Sequence, residues 1–177
     1  MTLDEYQQQA LKTASYPNVG SNLTYPTLGL AGEVGEIANS VKKIMRDDGG
    51  ELTPERRESL LAEAGDCLWY CAVAAHELKT PLSTGWQHFD SIDSWLDGGG
   101  PYGDLYRLTL DLQLALSDFI EEVVHRRHEH RIFHVIEVLG EFIHKLGGTV
   151  EAVARANLAK LADRAERGVI HGAGDNR

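Results

Sequence analysis

Apolar residues recur every three or four positions along most of the chain, the period of helices with one buried face. Thr2 with Glu5 forms a capping-box pattern that opens a first helix to about Ala14. Residues 15–24 read as a loop. Pro26 suits the first turn of a second helix. Its apolar positions are Leu28, Ala31, Val34, Ile37, Ala38, Val41 and Ile44, and it ends before Asp48-Gly49-Gly50. Thr53 and Pro54 start a third helix that buries Leu60, Leu61, Ala64, Cys67, Leu68, Cys71, Ala74, Ala75 and Leu78. It stops near Lys79-Thr80-Pro81. Residues 83–97 carry Trp86, Phe89, Ile92 and Trp95 at the spacing of a short helix. Gly98-Gly99-Gly100-Pro101 then makes a connector. Helices follow over about 104–128, with Leu108, Leu112, Leu116, Phe119, Ile120 and Val123, and over about 131–146. Thr149 caps a last helix ending at Arg167-Gly168. No stretch alternates with period two. The pattern predicts one all-α domain over 1–177, an antiparallel helical bundle.

Two internal matches stand out. TLGLAGEVGEIANSVKK aligns with TLDLQLALSDFIEEVVH at a shift of 82, and AGDCLWY aligns with LGEFIHK at a shift of 75. Either a degenerate second copy or the chance likeness of two amphipathic helices explains them. In the second copy Glu33 falls on Ala115, Glu36 on Asp118, Glu63 on Val138 and Asp66 on Glu141.

Charge narrows the function. Seventeen Lys and Arg against 27 Asp and Glu leave −10, which repels a nucleic-acid polymer. One small phosphorylated ligand is still compatible, since a metal inverts the local sign. Cys67 and Cys71 lie in an apolar run and read as small core residues of a protein from a reducing compartment. The polar, acidic N-terminus is no signal peptide, and no run reaches the ~18 apolar residues of a membrane span. These features predict a cytoplasmic protein.

The chemistry concentrates in two acid pairs. Glu33 and Glu36 are three apart on the second helix, and Glu63 and Asp66 three apart on the third. Residues so spaced share a helix face. Both pairs abut apolar faces, with Gly32, Gly35 and Gly65 alongside. Small residues there allow another helix or a ligand to approach closely. If the two helices pack antiparallel, four carboxylates converge, which requires a cation. Hard oxygen ligands select Mg²⁺, with Mn²⁺ as the alternative, over Zn²⁺. A di-iron bundle would need Glu-x-x-His, which neither pair contains. Solvated helix faces are the alternative.

LGLAGEVGEIANSVKK followed by AEAGDCLWYCAVAAHEL resembles the all-α nucleoside triphosphate pyrophosphohydrolases, the MazG-like superfamily that includes dimeric dUTPases and dCTP pyrophosphatases. The shared mark is E-x-x-E, a spacer, then E-x-x-D. ANLAKLADRAERGVIHGAGDNR resembles the tail of small bacterial and phage members. The resemblance covers about 1–82 and 147–177, and about 83–146 reads as inserted helices. It implies Mg²⁺-dependent cleavage of an NTP or dNTP between the α and β phosphates, giving a monophosphate and pyrophosphate. Such an enzyme would clean the nucleotide pool or supply a precursor. Glu33, Glu36, Glu63 and Asp66 would be the metal-binding and catalytic residues, with Glu33 favoured to orient the water. Phosphoribosyl-ATP hydrolysis and a non-catalytic nucleotide-binding protein are the alternatives. The inserted helices would supply in cis what a partner subunit gives elsewhere. A homo-oligomer is expected.

The remaining candidates would hold substrate. Asn157, Lys160 and Arg164 follow an i, i+3, i+7 pattern, in a 155–177 segment of net charge +2. The resemblance assigns phosphate to Lys160 and Arg164, and a cationic helix end is the plain alternative. Lys43, with Lys42 beside it, is a second phosphate candidate. Asn39 is placed to bond a base or ribose. Trp69 or Tyr70 can stack on a base or pack in the core. His125, His128, His130, His134 and His144 are interleaved with Arg126, Arg127 and Arg131, which oppose a cation, so they read as a polar helix junction. The tail from His171 to Arg177 reads as a lid or a loose end.

Overall fold

The computed structural model describes residues 1–86, 103–127 and 130–168. Those residues form six packed helices and, among them, no strand. The helices are α1 (Leu3–Ala10), α2 (Thr24–Asp47), α3 (Pro54–Glu77), α4 (Gly103–His125), α5 (Ile132–Lys145) and α6 (Val150–Glu166). Phe89, Ile92, Trp95, the 98–101 connector, His128 and the tail beyond 168 lie outside the described residues.

The end signals act as the sequence predicts. Thr2 and Glu5 make a full capping box, and Thr53 and Thr149 accept from Arg56 N and Ala152 N. Gly168 ends α6 at φ 69°, where a Cβ would be strained. Three boundaries differ. α1 tightens into a 3-10 turn over Leu11–Thr13 before Ala14 turns extended. The helix expected over 83–97 begins as a 3-10 turn, Leu82–Trp86. α4 stops at His125, short of 128, because Arg126 takes φ 52° and Arg127 N donates back to Glu122 O, a left-handed helix end.

α2 and α3 form an antiparallel hairpin. Gly20 meets Lys79, Gly29 meets Tyr70 and Asp48 meets Arg56, so contacts run in opposite order along the two helices. α4 and α5 form a second one, in which Glu122 accepts from His130 N and Arg131 N at 3.0 and 2.7 Å. This is the polar junction expected of the histidine-rich stretch. α4 packs on α2 and α5 on α3, while α1 and α6 cover another side of α3. Helix α3 is thus central. Its run Cys71–Ala75 is fully buried, and small side chains there let neighbours approach on every side.

One buried face is corrected. Leu28, placed inside by spacing, is 70% exposed, and Leu30 is buried instead. The inward stripe of α2 is Thr27, Leu30, Val34, Ile37, Val41 and Ile44. Leu28 is six residues from Val34, about 120° round the helix. Cys67 and Cys71 are free thiols in the core, as expected.

Candidate metal centre

The α2–α3 register sets the two acid pairs opposite each other at mid-helix. Glu33, Glu63 and Asp66 each present a carboxylate oxygen, and these oxygens lie within 4.8 Å of one another. All three residues are half-buried. Glu36 is exposed and outside this group. Three residues rotate a helix by about 60° and advance about 4.5 Å, enough to bring Glu36 to the rim while Glu33 stays inside. Three of the four predicted carboxylates therefore meet. Half-buried like charges at this separation repel, a cost that a bound cation relieves, and an all-oxygen donor set suits Mg²⁺ or Mn²⁺. The residues present fit such an ion.

Helix α6 closes the other side. Gly65 sits against it: a Cβ on Gly65 would stand 3.2 Å from Asn157 Cβ and 3.5 Å from Val153 Cγ1. The close approach brings α6 polar groups to Asp66. Asn157, 3% exposed, donates from Nδ2 to Asp66 Oδ1 at 3.0 Å. Lys160 donates from Nζ to both Asp66 oxygens at 2.5 Å. Arg164, one turn on, is also buried. Of the predicted i, i+3, i+7 residues of α6, Asn157 and Lys160 touch Asp66. Gly32 and Gly35 differ from Gly65, as open space surrounds them.

One supporting residue escapes sequence reading. Tyr6, fully buried on α1, donates from its hydroxyl to Asn157 Oδ1 at 3.0 Å. Burial, then Cys71 and Asp66, push its pKa well up, so it stays a donor. Tyr6 thereby fixes which face of the Asn157 amide meets Asp66. Cys67, buried beneath the cluster, is pushed well up by burial, by Cys71 and by the charges of Glu33, Asp66 and Glu63. It remains a neutral thiol. Nothing local marks Tyr6, which reads only as one apolar position of α1.

The aromatic candidates separate. Trp69 turns toward the end of α1, donating from Nε1 to Ala10 O at 3.2 Å and Thr13 Oγ1 at 3.0 Å. Tyr70 lies with its ring over Gly29, one turn from the acids, edge-on to Trp69 at 4.9 Å between centroids. Asn39 and Lys43 stand half-buried further along α2. Lys43 lies toward Asp47, whose pKa is lowered chiefly by Arg46, with Lys43 adding to it.

The chain was compared with known proteins. It is 51% identical over 89 residues to the gene 37 protein of Mycobacterium phage L5, a match spanning 48% of this chain and 78% of that protein. The chain belongs to the family of the phage L5 gene 37 protein. No family model matches it. No solved structure matches it. That relative's name states no activity, and it is the shorter of the two proteins. Among the described residues no helix is long and apolar enough to cross a membrane.

Proposed function

We propose that this protein is a Mg²⁺-dependent nucleoside triphosphate pyrophosphohydrolase. The observation that carries the reading is the meeting of Glu33, Glu63 and Asp66 in mid-bundle, with Lys160 and Asn157 beside them. It is supported by the resemblance of the E-x-x-E and E-x-x-D pattern to the all-α pyrophosphohydrolases. Glu33, Glu63 and Asp66 would hold the metal, with Glu36 at the rim as a fourth acid. Bound there, Mg²⁺ would polarise the α phosphate and lower the pKa of a water nucleophile. Asn157, held by Tyr6, keeps Asp66 oriented. Lys160 and Arg164 supply positive charge on α6, where the β and γ phosphates would lie. Tyr70 and Asn39 flank the acids on the two helices of the site, placed for sugar or base. Its place inside the cluster supports reading Glu33 as a metal ligand before a water-orienting base.

The rest of the reading follows the same resemblance. On that resemblance, about 83–146 is the added element. Self-association would cover Leu28 on α2 and the Leu110, Leu114 and Val124 stripe of α4, which are 64–70% exposed. Sedimentation at micromolar concentration decides it.

The test is pyrophosphate release with Mg²⁺ from all canonical NTPs and dNTPs, dUTP and phosphoribosyl-ATP, by wild type and Glu63→Gln. Release from one or a few is expected, falling about 10²-fold or more in the variant, as loss of several kcal/mol of charge stabilisation requires. Nucleotide binding without release would instead make this a binding protein.

A further inference from the structure

The position of Lys160 carries a consequence for how the site is loaded. Its ammonium donates to both oxygens of Asp66. Asp66 is one of the three residues whose oxygens cluster. Asp66 has about four lone-pair sites, and Asn157 and Lys160 fill three of them, so a cation on that carboxylate is crowded and repelled by the ammonium. Lys160 also lines a groove of about 480 Å³ between α3 and α6, whose walls include Leu61, Gly65, Val153 and Asn157. The lysine stem therefore has open space beside it. Lys160 is 29% exposed in its side chain and Asp66 20%, so neither is locked in the core.

We propose that Lys160 is a tethered counter-ion, standing in for the metal until ligand arrives. Without metal, it neutralises part of the acid cluster and ties α6 to α3. A divalent cation on Asp66 then displaces it. The released ammonium then turns into the groove, where an anionic polyphosphate can take it up. Metal and polyphosphate would consequently bind with positive coupling, each removing a cost from the other. Asn157 stays behind, because Tyr6 holds its other end. This inference rests on the metal-site reading above.

The experiment is titration of Mn²⁺ alone into nucleotide-free protein, followed by calorimetry, with thermal melts in EDTA and in saturating Mn²⁺. Lys160→Met is expected to bind Mn²⁺ about tenfold more tightly than wild type, the equivalent of about 1.4 kcal/mol. Arg164→Met removes the same charge one turn on and should change affinity far less, separating competition at Asp66 from the general field. In EDTA, Lys160→Met should melt below wild type, and the gap should close in Mn²⁺. A lysine with a merely structural role would leave the same gap in both. Should Lys160→Met fold poorly, Lys160→Gln serves with the same expectations. Mn²⁺ binding by wild type with no tightening in the variant overturns the stand-in role and leaves the metal site intact. No Mn²⁺ binding by wild type or variant at millimolar concentration overturns both. Binding by the variant alone supports the stand-in role in its strongest form.

Discussion

The two helical hairpins share a burial pattern and spend it differently. At a shift of 82, buried Thr27, Leu30, Val34 and Ile37 of α2 correspond to buried Thr109, Leu112, Leu116 and Phe119 of α4. Even the threonine hydroxyls match: Thr27 donates to Leu23 O and Thr109 to Leu105 O, both at 2.8 Å. At a shift of 75, Leu60, Ala64, Cys67 and Leu68 of α3 correspond to Val135, Leu139, Phe142 and Ile143 of α5, all buried. Four of the differences follow one direction, while Glu36 and Asp66 fall on acids again, Asp118 and Glu141. Ala64 and Cys67 become Leu139 and Phe142, while Glu33 and Glu63 become Ala115 and Val138. The first hairpin keeps small residues and gathers the acids Glu33, Glu63 and Asp66. The second fills the corresponding volume with hydrocarbon. α4 also braces α2, since Gln113 Nε2 donates to Val34 O at 3.2 Å, next to Glu33. We propose that the second hairpin is a degenerate copy serving as scaffold.

If that division is right, truncating the second hairpin costs stability and leaves chemistry alone. Phe142 is fully buried. Phe142→Ala should destabilise by about 3–5 kcal/mol, from lost burial and the cavity left behind. Mn²⁺ affinity per folded molecule should be unchanged. Denaturant melts and calorimetry check both. A change in Mn²⁺ affinity without loss of stability would break the comparison.

Gly29 sharpens it at smaller scale. A Cβ there would overlap the Tyr70 ring. Gly29→Ala should therefore destabilise by about 1–3 kcal/mol despite the better helix propensity of alanine, because the ring must move. Tyr70→Ala in the same background should recover part of that loss, measured as a double-mutant cycle. The equivalent positions in the second hairpin are Asp111 and Lys145, so glycine at 29 serves the first hairpin alone.

Helices, their caps and most of their inward faces were legible because period and end signals are local. The acid pairs were legible because three-residue spacing fixes a face. What sequence could not show is rotation: whether Glu36 turns in with Glu33, or Leu28 in with Val34, depends on where the partner helix sits. Nor could it show links such as Tyr6 to Asn157, 151 residues apart. Gly29 beneath Tyr70 is similar, since only the register of the two helices brings them together.

The smallest effects contrast one carboxylate from each hairpin. Glu77, at the end of α3, is raised by burial but lowered more by hydrogen bonds from Tyr16 Oη, Gly20 N and Asn22 N, so its pKa ends below the ordinary value. These bonds run 2.6–2.7 Å and pin the loop before α2. A depressed carboxylate stabilises the fold above its unfolded pKa of about 4.3 and loses that contribution as pH falls. Glu77→Gln should cost about 1–2 kcal/mol at pH 7, with the gap to wild type narrowing in acid. Glu141 on α5 takes the place of Asp66, and burial, then Asp111 and Glu137, raise its pKa, opposed by His134. Here the sign reverses. Ionised Glu141 disfavours the fold at neutral pH, and the penalty fades as pH falls through the raised value. Glu141→Gln should raise Tm by about 1–2 °C at pH 7 and less near pH 4, a small effect because the group is only half-buried. Opposite slopes of ΔTm against pH for the two variants are thus expected. Parallel slopes would mean that the second hairpin holds its acid as favourably as the first, and that its loss of the site did not leave a strained carboxylate behind.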